Sequence, residues 1–251
     1  MRYSLFLAPA LALAVALASS GCSGSHETSR EPARDSSREL SPEPPDDGRP
    51  MPPPAPAAAN DHRKVIAVFG DSVAAGFGLA AGQSFPDDLQ KRLDAAGYPY
   101  RVVNLGISGD TTEGGVSRIG SATSLKPSIV VLELGGNDGL RGMPLASTRA
   151  NLDQMIRAFQ DAGAKVVLAG MTLPPNYGPD YIQGFEKIYK DLAGKYKLPF
   201  IPFLMSDIVT KDLRYIQADG IHPTAAGAEI VSGTVLRAIE PLLKKDERVA
   251  R

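Results

Sequence analysis

Histidine is scarce in this 251-residue chain: His26, His62 and His222 are all it has. The first two sit in a proline-rich, charged stretch, so only His222 falls where a packed domain can form. Imidazole titrates near neutral pH and is the usual proton acceptor in hydrolytic chemistry. His222 follows an acid by three residues in Asp219-Gly220-Ile221-His222-Pro223. That separation lets a carboxylate reach Nδ1 of the ring, fix its tautomer and leave Nε2 facing a nucleophile. A hydroxyl is offered by Gly70-Asp71-Ser72-Val73, where a serine on a tight turn would project from the end of a strand. Two further turns carry donors. Gly106 in Gly106-Ile107-Ser108-Gly109-Asp110 lacks a Cβ, which lets a substrate approach and leaves an N–H free to donate. Asn137 in Gly135-Gly136-Asn137-Asp138-Gly139 offers an amide of the kind that stabilises an oxyanion. A base, its acid, a hydroxyl and two donors are the parts of acyl transfer through a serine.

Taken singly, each part has a plainer reading. Gly70-Asp71-Ser72 can be a turn that caps a helix, Asn137-Asp138 an ordinary Asn-Asp turn, and His222 a capping or surface residue. The order of elements is what brings them together. Val65 to Phe69 is a continuous apolar run stopped by Gly70, as a strand buried on both faces would be. Ser84 before Pro86 starts a helix that should end at Gly97. Arg101 to Leu105 is the second strand, and a weaker, glycine-containing helix is predicted over 112–124. Ser128 to Leu134 is the third strand. Leu152, Met155, Ile156 and Phe159 then mark one face of a helix over 146–162. Lys165 to Ala169, a helix over 181–195, a short strand at Phe200-Ile201 and a last helix over 224–243 complete the series. Strictly alternating strands and helices imply an α/β fold with a five-stranded parallel sheet between two helical layers. Ligands bind at the carboxyl edge of such sheets, which is where the three glycine-rich turns fall.

Composition narrows the chemistry further. A formal net charge of −1 argues against a nucleic-acid partner. Gly76-Phe77-Gly78 with Ala81 loosely echoes a dinucleotide fingerprint. However, the second strand ends in Asn104-Leu105-Gly106, with no acid for a ribose, and the turn has no P-loop lysine. One histidine and no cysteine in the domain leave little to hold zinc. The expectation is no metal, no cofactor and a monomer.

Residues 1–22 read as an export signal: Arg2, an apolar run from Leu5 to Ala18 broken only by Pro9, then Ser19-Ser20-Gly21-Cys22. Cys22 is the only cysteine and stands where a bacterial lipoprotein signal would be cleaved and lipidated. Residues 23–63 hold nine of the 21 prolines and only Leu40 and Met51 as larger apolar side chains, which reads as a disordered tether. Residues 64–251 form the domain. The expectation is therefore an exported protein, lipid-anchored through Cys22, at the outer membrane or the periplasmic face.

Five stretches, in order across the domain, resemble the SGNH or GDSL hydrolase superfamily. They are Gly70-Asp71-Ser72, Asn104 to Thr112, Glu133 to Gly142, Leu173 to Gly178 and Asp219 to Pro223. The similarity is strongest to bacterial thioesterase I, lysophospholipase L1 and related arylesterases. It implies a flavodoxin-like three-layer α/β/α sandwich and cleavage of acyl esters or thioesters. It implies Ser72 as nucleophile, His222 as base and Asp219 as its acid partner. It further implies an oxyanion hole made by the backbone N–H of Ser72, Gly106 and Asn137. Pro175 departs from the family pattern in the loop that borders the acyl site. Two other functions fit the same chain: an O-acetylesterase acting on carbohydrate or cell wall, and a lipid-anchored binding protein with a silent site.

Overall fold

The computed structural model describes residues 61–209 and 212–243. The export signal, Cys22 and all of the tether before Asp61 lie outside the described residues. Asp61 pairs with Arg63 at 2.7 Å and lies 3.7 Å from the Arg101 guanidinium.

Strand β1 (Lys64–Gly70) is apolar along its length because both faces are covered. Ile66 and Val68 point into one core and Ala67 and Phe69 into the other. Strands β2 (Tyr100–Asn104), β3 (Ile129–Glu133), β4 (Lys165–Ala169) and β5 (Phe200–Ile201) join β1 in one sheet of order β2-β1-β3-β4-β5. Every pairing is parallel. This is the flavodoxin-like order, in which the chain reverses direction across the sheet between β1 and β3.

Helices α1 (Ser72–Ala75) and α2 (Phe85–Ala95) follow β1; α2 starts at Ser84, whose hydroxyl and the Asp87 carboxylate cap each other's backbone N–H. Helices α3 (Thr112–Ser117) and α4 (Ile119–Thr123) follow β2, and α5 (Gly136–Leu140) and α6 (Leu145–Asp161) follow β3. Then come α7 (Pro179–Tyr196), α8 (Ser206–Val209) and α9 (Ala225–Ile239). One core joins α2 and α9 to the sheet through Phe85, Leu89, Leu93, Val231 and Val235. The other joins α6 and α7 through Leu152, Phe159, Phe185 and Ile188. Each such side chain removed from water contributes about 1.5–3 kcal/mol.

The predicted helix over 112–124 is broken at Arg118, which adopts φ −114° and ψ 14°. Its guanidinium leaves the helix to donate to Leu105 O (2.7 Å) and Gly70 O (2.8 Å) and to meet Asp110 Oδ2 at 2.6 Å. It also lies 3.9 Å above the Phe69 ring. Arg118 thus ties together the ends of β1 and β2 beyond their last ladder bonds. The final helix stops at Ile239, short of the predicted 243; a 3-10 turn at Glu240–Leu242 follows, because Pro241 lacks the N–H that a continuing helix needs. Asn137 and Asp138, read as a turn, sit instead in the short helix α5, and α8 was not foreseen.

Candidate active site

Ser72 opens α1 one residue beyond the end of β1, so its N–H has no acceptor within the helix. Its Oγ lies 2.8 Å from His222 Nε2, and His222 Nδ1 lies 2.6 Å from Asp219 Oδ2. With the Nδ1 hydrogen donated to Asp219, Nε2 is free to accept the serine proton. The other Asp219 oxygen accepts the N–H groups of Ile221 (2.8 Å) and His222 (3.0 Å). Burial pushes the Asp219 carboxyl up, but these hydrogen bonds from His222 and Ile221, with the imidazole, outweigh it and hold the group below its ordinary value.

Asn137 reaches the same edge from the first turn of α5. Its Nδ2 donates to Asp110 O (2.9 Å) and, at a long 3.4 Å, faces Asp71 Oδ2. The hydrogen facing Asp71 is the weaker-held of the two. α5 is anchored by its neighbour Asp138, whose Oδ2 accepts the Thr112 N–H at 2.8 Å.

Gly106 corrects the expectation of a free N–H. Its N–H donates to Asn104 Oδ1 at 2.9 Å, while Asn104 Nδ2 donates to Ala74 O at 2.7 Å. The Asn104 side chain thus folds the turn after β2 onto α1. Glycine is needed at 106 for a different reason: a Cβ there would lie 2.3 Å from Ala75 N and push α1, with Ser72, out of place. Ser108 is exposed on the same turn and His62 is exposed at the start of the described chain; neither is joined to the Ser72–His222 pair.

Two buried carboxyls under the site were not singled out by sequence reasoning. Asp71 is 2% exposed and Glu133 0%. The Asp71 N–H donates to Glu133 Oε2 at 3.2 Å, and Asp71 Oδ1 accepts the Val73 N–H at 3.1 Å, which caps α1. Burial pushes the Asp71 carboxyl up to about 6. Burial, and then the charge of Asp71, push Glu133 well above the usual carboxylate range. The available signal was an acid ending an otherwise apolar strand, Ile129-Val130-Val131-Leu132-Glu133.

In the folded protein Glu133 stays protonated at a pH where the unfolded chain has lost that proton. The native state then binds more protons, and stability falls as pH rises above the unfolded value of about 4.5. Glu133→Gln keeps the shape without the titration. Its stability relative to wild type is expected to climb as pH rises above about 4.5, by up to about 1.4 kcal/mol per pH unit, until Glu133 ionises in the fold. Urea unfolding midpoints checked across that range would run parallel if Glu133 were ionised in the fold.

Ser72 and His222 line a cavity of about 470 Å³. Its remaining wall is largely apolar and includes Leu140, Met171, Leu173, Pro175, Phe203 and Met205. A carbonyl carbon placed at Ser72 Oγ would therefore have an apolar space on one side and the His222 ring on the other.

Comparison with known proteins agrees with this geometry. Residues 68–230 match the GDSL-like Lipase/Acylhydrolase family. The chain is 44% identical to esterase TesA of Pseudomonas aeruginosa over 181 residues, covering 72% of this chain and 90% of that one. It is 34% identical to thioesterase 1/protease 1/lysophospholipase L1 of Escherichia coli over 191 residues, covering 76% and 88%. The crystal structure of TesA superposes with a TM-score of 0.69 at 45% identity, covering 72% of this chain and all of that one. The matched span runs from within β1 into α9 and so encloses both the Ser72 turn and the Asp219–His222 loop; this chain belongs to the GDSL-like lipase/acylhydrolase family.

Proposed function

We propose that the protein hydrolyses acyl esters or thioesters through an acyl-enzyme on Ser72. The observation that carries this reading is the continuous chain Asp219–His222–Ser72, with contacts of 2.6 and 2.8 Å, whose Ser72 and His222 line a largely apolar cavity. The names of the relatives, esterase and thioesterase, support it.

In this reading His222 Nε2 takes the Ser72 proton as Oγ bonds to the substrate carbonyl carbon. The carbonyl oxygen becomes an oxyanion, held by the Ser72 N–H and the Asn137 amide. The Gly106 N–H can join only by sharing its hydrogen with Asn104 Oδ1. Collapse of the intermediate breaks the carbon–oxygen or carbon–sulfur bond, and Nε2–H protonates the departing alcohol or thiol. Water then gives a proton to Nε2 and attacks the acyl carbon, and Ser72 leaves with the proton returned. Asp219 stays ionised throughout and steadies the imidazolium.

The cavity favours an acyl chain longer than acetyl, which would leave most of 470 Å³ unfilled. With p-nitrophenyl esters, kcat/KM is expected to rise about fourfold per added methylene until the cavity is full, at about 0.8 kcal/mol per buried CH₂. Turnover of acetyl esters alone would favour the O-acetylesterase reading, and no turnover the binding-protein reading. The proposal places the enzyme on a lipid anchor at Cys22, supported by the apolar run and Ser19-Ser20-Gly21-Cys22. Labelled palmitate is expected to enter the wild-type protein and not Cys22→Ser; equal labelling of both would remove the anchor.

A further inference from the structure

Asp219 and His222 share one loop, and Ser72 does not. Residues 215–224 fold back on themselves: the Gln217 N–H donates to His222 O and the Thr224 N–H to Tyr215 O, both at 2.8 Å, with Ile216 facing Pro223. Gly220 N–H closes the tip on Gln217 O at 3.0 Å. The acid and the base are thus set relative to each other inside the loop. Their distance from Ser72, 150 residues away in sequence, has to be set by something else.

One side chain makes that connection. Gln217 Nε2 donates to Pro223 O and to Phe77 O, each at 2.8 Å. Pro223 is the residue after His222. Phe77 is tied in turn to the serine turn, because its N–H donates to Ser72 O at 3.0 Å. The Phe77 ring, half exposed, packs on the His222 imidazole with centroids 4.7 Å apart. Both amide hydrogens of Gln217 are therefore spent, one on the residue after His222 and one on a residue whose own N–H is bonded to Ser72. The approach demands glycine at 78, which has φ +74°; a Cβ there would lie 2.3 Å from Gln217 Oε1. Among the described residues, the Gln217–Phe77 bond and the Ser72–His222 contact itself are the hydrogen bonds that join this loop to residues 72–78.

We propose that Gln217 is a positioning residue that holds the His222 loop at working distance from Ser72; this rests on the serine-hydrolase reading above. It touches neither substrate nor a reacting atom. Its effect is registry: a misplacement of about 1 Å between reacting groups can cost on the order of 100-fold in rate. Without the clamp the Asp219–His222 pair stays intact, since both its members belong to the loop, while its alignment on Ser72 loosens.

Gln217→Met removes both donors at similar volume. Its kcat, counted per active site titrated with a fluorophosphonate, is expected to fall about 10- to 100-fold. KM should stay within about twofold and the rate of Ser72 labelling should fall in step with kcat. The acid limb of the kcat/KM profile should not move, because Asp219 still faces the ring. Gln217→Lys, which can donate to both carbonyls, should recover part of the loss. Amide exchange at 219–222 should quicken in Gln217→Met and not in Gln217→Lys. An unchanged kcat per titrated site, or a loss carried by KM alone, would overturn the proposal. Normalising to titrated sites removes any effect of poor folding, and Gly78→Ala attacks the same bond from the other side. Failure of the wild-type protein to label at all would overturn the hydrolase reading instead, and unchanged exchange in Gln217→Met would then dispose of the clamp separately.

Discussion

Ser72→Ala is expected to lower kcat for a p-nitrophenyl ester by about 10⁵- to 10⁶-fold while leaving the fold and the cavity in place. Removing Oγ leaves a methyl group at the first position of a short helix, with the Asp71 cap and the Ser72 N–H untouched. What is lost is the covalent route, and with it the proton transfer to His222. Groups that act as one unit do not add. The double variant Ser72→Ala/His222→Ala should therefore be no slower than Ser72→Ala alone. Steady-state turnover and fluorophosphonate labelling check both statements. Residual turnover within about 100-fold of wild type, or labelling that persists in Ser72→Ala, would move the nucleophile elsewhere, with exposed Ser108 the first place to look.

Asp219→Asn should cost about 10⁴-fold in kcat with little change in stability. The reason lies in how the two carboxylate oxygens are used. Oδ1 accepts the N–H groups of Ile221 and His222, whereas Oδ2 faces His222 Nδ1. In the variant the amide oxygen must keep the two backbone donors, so the NH₂ group is turned toward Nδ1. Nδ1 then becomes an acceptor and the ring hydrogen moves to Nε2, the atom that should take the serine proton. The ring stays in place in the wrong tautomer. Asp219→Ala removes the acid without imposing that tautomer, and should be less damaged than Asp219→Asn at equal loop order. Turnover per titrated site separates them; Asp219→Asn as active as wild type would mean that the acid does not set the tautomer.

Much of this architecture is legible in the residues because its causes are local or periodic. β1 and β3 read as strands since both faces are buried and the whole run must be apolar. α2 announces its start through Ser84 and Pro86, and α6 its inner face through Leu152, Met155, Ile156 and Phe159. Ser72, Asn137, Asp219 and His222 could be placed at one edge because each follows a strand or precedes the last helix. What stayed hidden has long-range causes. The break at Arg118 arises from carbonyls on two other segments, Gly70 and Leu105. The Gly106 N–H is taken by a side chain two residues back that is itself held by α1. Glu133 and Asp71 become a pair only when β3 lies beside β1, in the register that sets Glu133 opposite Gly70. Gln217 looks like any loop glutamine until Phe77 comes beneath it.

Much of the cavity wall comes from stretches of chain that carry none of the reacting groups. Met171, Leu173 and Pro175 follow β4, and Phe203, Met205 and Val209 follow β5. Ser72 and Asn137 follow β1 and β3, and the Asp219–His222 pair travels on its own loop. A lineage carrying this scaffold can therefore change its diet without relearning its chemistry: substitutions after the last two strands redraw which acyl groups fit, and the bond-breaking apparatus is inherited unaltered. Selection for a new substrate should leave its marks at 171–175 and 203–209, and a laboratory library confined to those positions should yield altered preference far more often than dead protein.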